Sequence, residues 1–303
     1  MGKNLTLLGL ALALAGCATI EGMQGGGKWR VTSDTTAAGF TFPESVGCDA
    51  GERVLYVSNF GGTELKPAEK DGKGFISKVA LDGKVMEARV WPGTGETLHK
   101  PKGLWIEGNR LWVTDVDAVW VYDTKTRKGR KLDIPGIRFA NDPAVSGGAL
   151  YVSDNRSDQV FRIEPADFLD ARVQPKITVA ATGKAMSPNG VWPGRDGSLL
   201  IAGFQAADQP RAIYSLARDG TVKTLSQPIG RLDGLYEMRD GSLLVTDWNS
   251  GSLFRWSPAG GQETLATGFK GPADFCVMPV GSDYVVYVPD LVQSHIRIIR
   301  LSR

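Results

Sequence analysis

Histidine is almost missing from this chain: His99 and His295 are the only two among 303 residues. No G-x-S-x-G segment accompanies them, so a Ser-His-Asp type of nucleophilic triad has nothing to be built from. Charge of one sign is missing too. Thirty-five Lys and Arg stand against 33 Asp and Glu, a formal net charge of +2, which gives no electrostatic reason to expect nucleic acid or an acidic polymer as partner. The glycine runs Gly25–Gly27 and Gly61-Gly62 precede no helix start, so no phosphate-cradling loop is read. The apolar stretch Leu5 to Ala15 is too short to span a bilayer.

That stretch follows Lys3 and precedes Leu14-Ala15-Gly16-Cys17. A positive start, a short apolar core and a small-residue cleavage site make a secretory signal. The last four residues resemble the lipobox of bacterial lipoproteins. The expected organisation is a signal peptide over 1–16, lipidation at Cys17, a flexible glycine-containing tether over 17–28, and one folded domain over 29–303. Ala18 rather than Asp after the cysteine favours the outer membrane, facing the periplasm, with the lipid as membrane anchor.

Cysteine is scarce: beyond Cys17 only Cys48 and Cys276 remain. They fall on predicted inner strands of the first and last repeat units, where an oxidising compartment would permit a bridge. The expectation is two buried free thiols, since a sequence does not supply the Cα spacing a bridge requires.

What the chain has in quantity is glycine (38) and proline (16), set between short Val/Leu/Tyr/Trp runs, the punctuation of many strands and turns. The segment Ser187-Pro188-Asn189-Gly190-Val191-Trp192 through Asp196-Gly197-Ser198-Leu199-Leu200-Ile201 aligns without a gap on Arg231-Leu232-Asp233-Gly234-Leu235-Tyr236 through Asp240-Gly241-Ser242-Leu243-Leu244-Val245. Related copies begin at Pro43, Pro101, Ala140 and Gly271, and end in Val-Ser-Asn, Val-Thr-Asp, Val-Ser-Asp and Val-Pro-Asp. A third and a fourth strand follow each copy. Six units of four strands, recurring about every 40–50 residues, predict an all-β six-bladed propeller. A two-sheet sandwich is the alternative, but sandwiches do not repeat internally in this way. The last unit lacks an outer strand, and Trp29-Arg30-Val31-Thr32 is expected to supply it, closing the ring and removing an open edge.

In a propeller the start of strand one and the end of strand two lie together at the mouth of the central channel. The starts carry Glu44, Lys102, Asn141, Asn189, Asp233 and Ala273; the ends carry Asn59, Asp115, Asp154, Gly203, Asp247 and Asp290. Glu44, Asn141, Asn189 and Asp233 make a ring of hard oxygen donors, two charged and two neutral, suited to a divalent cation. Calcium fits best, with magnesium, manganese or zinc also open; the lack of cysteine and histidine in the set argues against a softer metal. The Asp residues at the strand ends are expected to bond to backbone. Trp105, Trp112, Trp192, Trp248 and Trp256 are expected to pack between blades.

The order of these motifs resembles that in the family joining senescence marker protein (regucalcin), gluconolactonase and luciferin-regenerating enzyme. The matching elements are Glu44-Ser45-Val46-Gly47-Cys48, Arg138-Phe139-Ala140-Asn141-Asp142 with one extra residue, Asn189-Gly190-Val191 and Leu232-Asp233-Gly234. The usual Pro-Val-Trp after the first glutamate is absent, and Pro143 follows Asp142. The resemblance implies a calcium-dependent propeller, metal ligation by Glu44, Asn141, Asn189 and Asp233, and substrate contact by Arg138. The activity expected is hydrolysis of a sugar-lactone-like cyclic ester, with Asp233 accepting the proton of the attacking water. Asp142 is expected to support the ligands and substrate, and His99 to reach the pocket as a proton shuttle. Residues Asn59 to Gly74 are expected to form a loop over the site. The competing expectation is a non-catalytic envelope lipoprotein that binds a ligand or protein and uses calcium for rigidity; no protein partner is identified by the sequence.

Overall fold

The computed structural model describes residues 1–2 and 28–303. The expected signal peptide, the lipidated Cys17 and nearly all of the tether lie outside the described residues. Among the described residues there is no helix, and the strands form six four-stranded antiparallel sheets. Five are consecutive in the chain, with inner strands Pro43–Asp49, Pro101–Glu107, Ala140–Ser146, Pro188–Pro193 and Leu232–Glu237. The architecture is the expected six-bladed propeller.

Burial explains the composition of each blade. Second strands such as Val54–Asn59, Ala149–Asp154 and Leu243–Asp247 are buried along their whole length, because neighbouring blades cover both faces. They accordingly read as continuous Val/Leu/Tyr runs rather than alternating ones. Outer strands such as Lys176–Thr182 and Gly261–Ala266 alternate or face solvent and carry the charge. The Asp-Gly pairs lie in tight turns; Gly197 and Gly241 adopt φ of 82° and 78°, which an L side chain disfavours.

The sixth sheet joins the two ends of the domain. Arg30–Ala37 pairs antiparallel with the last strand, His295–Ser302, from Arg30 opposite Ser302 to Ala37 opposite Ile296. Trp29 is buried, its ring centroid 5.2 Å from that of Tyr284, and Asp34 pairs with Arg297. The ring thus has no open edge at its seam.

A covalent clasp reinforces that seam on the inside. Cys48 on the inner strand of blade one and Cys276 on the inner strand of blade six have Cα atoms 5.7 Å apart and form a disulfide. The expectation of free thiols is overturned. Ring closure brings residues 228 positions apart to bridging distance, and strand spacing across that seam is invisible to local pattern.

Candidate functional site at the channel mouth

In five blades the ladder between strands one and two slips once, and always at the same place. The shifts fall between Pro43 and Ser45, Pro101 and Leu104, Ala140 and Pro143, Pro188 and Val191, and Leu232 and Leu235. A bulge re-aims the side chain it contains. Each bulge holds one ring residue: Glu44, Lys102, Asn141, Asn189 or Asp233. Blade six has Ala273 in that place, beside the Pro272–Asp290 bridge.

Blade four carries Ala202 at the hydroxyl position, but in three of the other bulged blades the Val-Ser/Thr-Asp/Asn motif of strand two holds the bulge in shape. Its hydroxyl accepts the displaced backbone N–H: Ser45 N donates to Ser58 Oγ at 2.9 Å, Asp142 N to Ser153 Oγ at 3.0 Å, and Gly234 N to Thr246 Oγ1 at 2.9 Å. The same hydroxyls reach the next blade. Ser153 Oγ donates to the carbonyl of Asn189 at 2.5 Å, Thr246 Oγ1 to that of Ala273 at 3.1 Å, and Thr114 Oγ1 to that of Asn141. The terminal carboxylates bind the arriving loops, as Asp115 does on the amides of His99 and Lys100 and Asp154 on that of Arg138. They are structural groups, as the sequence suggested.

Glu44, Asn141, Asn189 and Asp233 all line one cavity of about 1050 Å³ at the mouth, and each is at most 5 % exposed. Glu44 Oε2, Asn141 Oδ1, Asn189 Oδ1 and Asp233 Oδ1 are buried and have no hydrogen-bond partner. A buried oxygen without a partner costs about 1–3 kcal/mol, more if charged, so four at equivalent positions call for a common cause. The donor set is of the kind a hard cation accepts. Among the described residues no three His, Cys, Asp or Glu side chains cluster as a metal site; this ring reaches four donors because two are amides.

The electrostatics are those of like charges held out of water. Burial pushes the Glu44 carboxyl well above the usual range, and Asp233 and Asp274 add to the effect while Lys102 opposes it. Asp233 is pushed up to about 8 by burial and by Asp274; the indole of Trp248, donating to its Oδ2 at 2.8 Å, pulls the other way. Asp274 rises to about 7 through burial, against the 2.5 Å bond from Ser45 Oγ. Burial lowers Lys102 to about 8, with Asp115 and Glu44 opposing. Lys102 is 1 % exposed, yet no ion pair joins it to Glu44; its Nζ donates to the carbonyl of Lys100 at 3.2 Å.

Three expected site residues sit differently from one another. Arg138 lines the cavity. Asp142 does not: it faces a smaller cavity of about 120 Å³ toward the other end of the channel, with Asp274 and the disulfide. There Asp142 Oδ2 accepts the Val191 amide at 2.7 Å, so it braces the strand carrying Asn189 rather than touching a substrate. Asp142 is one residue beyond the bulged Asn141, and the pleat sends it down the channel. His99 is also outside the cavity; its Nδ1 accepts the Gly72 amide at 3.1 Å. It fastens the loop after strand two of blade one, whose Leu65 and Pro67 reach the cavity wall as expected.

Several residues of the site were not singled out in the sequence. Trp248, expected as packing, lines the cavity and holds Asp233. Arg156 and Arg231 line it too, with Phe139 and Phe204. The Arg two places before Asp233 was the available signal for Arg231; nothing local marks Arg156. Trp105 and Trp192 do pack across blades, 5.2 Å apart.

The glycines that follow the ring residues are required by crowding at the axis. A Cβ on Gly190 would lie 2.2 Å from the carbonyl oxygen of Asp233. Gly190→Ala is therefore expected to destabilise the fold by about 1–3 kcal/mol through overpacking, read as a lowered midpoint in thermal or urea unfolding. An unchanged midpoint would mean the inner strands move apart freely.

No protein-family model and no curated protein matches the sequence. Solved structures do match in fold. A catalytically inactive variant of virginiamycin B lyase from Staphylococcus aureus, with quinupristin, aligns at TM-score 0.59 and 16% identity, over 91% of this chain and 100% of that one. A chain described only provisionally as a gluconolactonase aligns at TM-score 0.65 and 14% identity, over 89% of this chain and 92% of that one. A nidogen/laminin complex aligns at TM-score 0.55 and 16% identity, over 74% of this chain and 79% of that one. At identities this low, and with names this different, the likeness is one of fold.

Proposed function

We propose that this protein is a divalent-metal-dependent hydrolase of cyclic esters, a lactonase acting at the mouth of the propeller, with calcium as its ion. The observation that carries the reading is the set of four buried, partnerless oxygens on Glu44, Asn141, Asn189 and Asp233. Two carboxylates and two amide oxygens balance a divalent charge and leave room for water and substrate oxygens. Bound there, the ion would supply Lewis-acid charge for a carbonyl oxygen.

The chain's own groups have distinct roles in this proposal. Trp248 fixes Asp233 through Oδ2, leaving Oδ1 free toward the cavity, so that Asp233 orients a water and takes its proton as it attacks the ester carbonyl. Arg138, on the cavity wall, contacts the substrate's oxygens. The loop carrying Leu65 and Pro67 limits access of bulk water to one side of the cavity. The chain is proposed to work in an oxidising envelope compartment, tethered through Cys17; the disulfide supports that environment.

The test is proton release from γ- and δ-lactones by residues 18–303, with calcium and after chelation. Turnover that vanishes with chelator and returns with the ion is the expected result. Asp233→Ala should then lower kcat by about 100-fold or more, on the order of a lost general base, while the variant still folds. No lactone turned over, with the ion still raising the melting temperature, would favour a structural calcium in a binding protein instead.

A further inference from the structure

Four cationic side chains line the cavity: Lys102, within the ring at the position equivalent to the oxygen donors, and Arg138, Arg156 and Arg231. Among the described residues none of the four belongs to a salt bridge, although Lys and Arg elsewhere in the protein pair repeatedly, as Lys100 with Asp71 and Arg127 with Glu87. Nor, among the described residues, do the three guanidinium groups donate to any side-chain or backbone oxygen at the cavity. Arg231 Nε is buried and partnerless, and Lys102 has one carbonyl, that of Lys100, for three protons.

What holds three of them, Lys102, Arg156 and Arg231, is aromatic. Lys102 Nζ and Arg156 Cζ each lie 4.2 Å from the ring centroid of Phe139. Arg231 Cζ lies 4.3 Å from that of Phe204 and 5.4 Å from that of Trp248. An aromatic face positions a cation without cancelling its charge. The nearby carboxylates are directed to backbone amides rather than to these side chains. Asp158 accepts from the amides of Ala185 and Ser187, Asp154 from those of Arg138 and Arg156, and Asp247 from that of Arg231. Of the three carboxylates that line the cavity, Asp158 is turned to the Ala185 and Ser187 amides, and Glu44 and Asp233 lie at the floor, where in the proposed function a divalent cation balances them.

We propose that this wall is an anion subsite, so that the substrate carries a carboxylate or another small anionic group besides its reacting ester. This rests on the lactonase reading for its chemistry but on the unpaired cations for its specificity. The anion would bind between Arg156 and Arg231, across the cavity mouth, with the ester reaching the oxygen ring beneath. Charge-assisted donors of this kind are among the strongest hydrogen bonds a protein can offer to an anion.

The test compares two lactones matched except in charge, neutral glucono-1,4-lactone and glucaro-1,4-lactone, which keeps a free carboxylate, on the calcium-loaded protein. The expected result is a kcat/KM at least about tenfold higher for the anionic lactone, the worth of one hydrogen bond to a charged group. Arg156→Gln and Arg231→Gln should each shrink that ratio toward one, and added salt should do the same in the wild type. Equal turnover of the two lactones, or a ratio unmoved in both variants, overturns the subsite. Calorimetric binding of gluconate against gluconamide separates this outcome from failure of the lactonase reading. Preference for gluconate, lost in Arg231→Gln, with neither lactone hydrolysed, supports the subsite and counts against the hydrolase alone. Equal or absent binding of both overturns the subsite whatever the activity.

Discussion

Raising the pH from 5 to 8 should destabilise the metal-free protein by several kcal/mol, and millimolar calcium should suppress the loss. Asp233 and Asp274 are buried, with carboxyl groups pushed up to about 8 and about 7; burial raises Glu44 and Asp142 in the same direction. In the unfolded chain these groups lose their protons near pH 4. Between about pH 4 and 7 the folded state therefore holds more protons than the unfolded one. Stability falls with rising pH wherever that is so, by about 1.4 kcal/mol per pH unit for each proton retained. The contribution is fully present below about pH 4 and is gone above about pH 8.

Under the proposed function calcium would offset the loss, because it would compete with protons for the oxygens of Glu44 and Asp233. Its stabilisation, RT ln(1 + [L]/Kd), should be small at pH 5 and largest at pH 8. Urea midpoints across this range, with chelator and with calcium, measure both effects. A flat profile in chelator would show that the carboxylates are solvated in solution. A calcium effect equal at pH 5 and pH 8 would show that the ion binds somewhere other than Glu44 and Asp233.

Opening the disulfide should have the next largest effect. Cys48 and Cys276 are 228 residues apart in sequence, so the bridge restrains almost the entire unfolded domain. The chain-entropy relation gives about 5 kcal/mol for a loop of that length, comparable to the whole stability of many domains. Cys48→Ser or Cys276→Ser, or reduction of the native protein, should lower the unfolding midpoint while the blades remain intact. The hydrogen-bonded seam with Arg30–Ala37 and non-covalent contacts such as Ser45 with Asp274 and Tyr287 with the Leu81 carbonyl would then hold the first and last blades together. A midpoint that does not move would place the stabilisation in the N-terminal strand instead. Residues 18–303 made with and without an oxidising step would distinguish the two.

Much of this molecule is written in local pattern. Six copies of a start, an apolar run, a turn and a second strand, three of which end in Val-Ser/Thr-Asp, specify blades, because each element needs only its neighbours to form. The same repeats identified Glu44, Asn141, Asn189 and Asp233 as equivalent positions. The bulges that turn Glu44, Asn141 and Asp233 inward are held by the hydroxyl of the paired strand, and that hydroxyl is itself part of the repeat; Asn189 is turned inward by the same bulge with Ala202 in the hydroxyl's place. The N-terminal closing strand was legible for a related reason: five units showed what the sixth lacked.

What tertiary structure alone decided concerns directions and distances across the ring. Asp142 adjoins Asn141 in sequence, yet the pleat sends it to the far end of the channel to hold Val191. His99 stands beside the mouth but is turned away to Gly72. Trp248 packs against Phe60, Ala273 and Leu291 of other blades, as expected, and also positions Asp233. Arg156 and Arg231 come from different blades and share the cavity only because the ring brings their loops to one face. The disulfide, too, joins residues that meet only once the circle is complete. Repetition along the chain determined which residues are equivalent; closure of the ring, a single long-range event, determined which of them face one another.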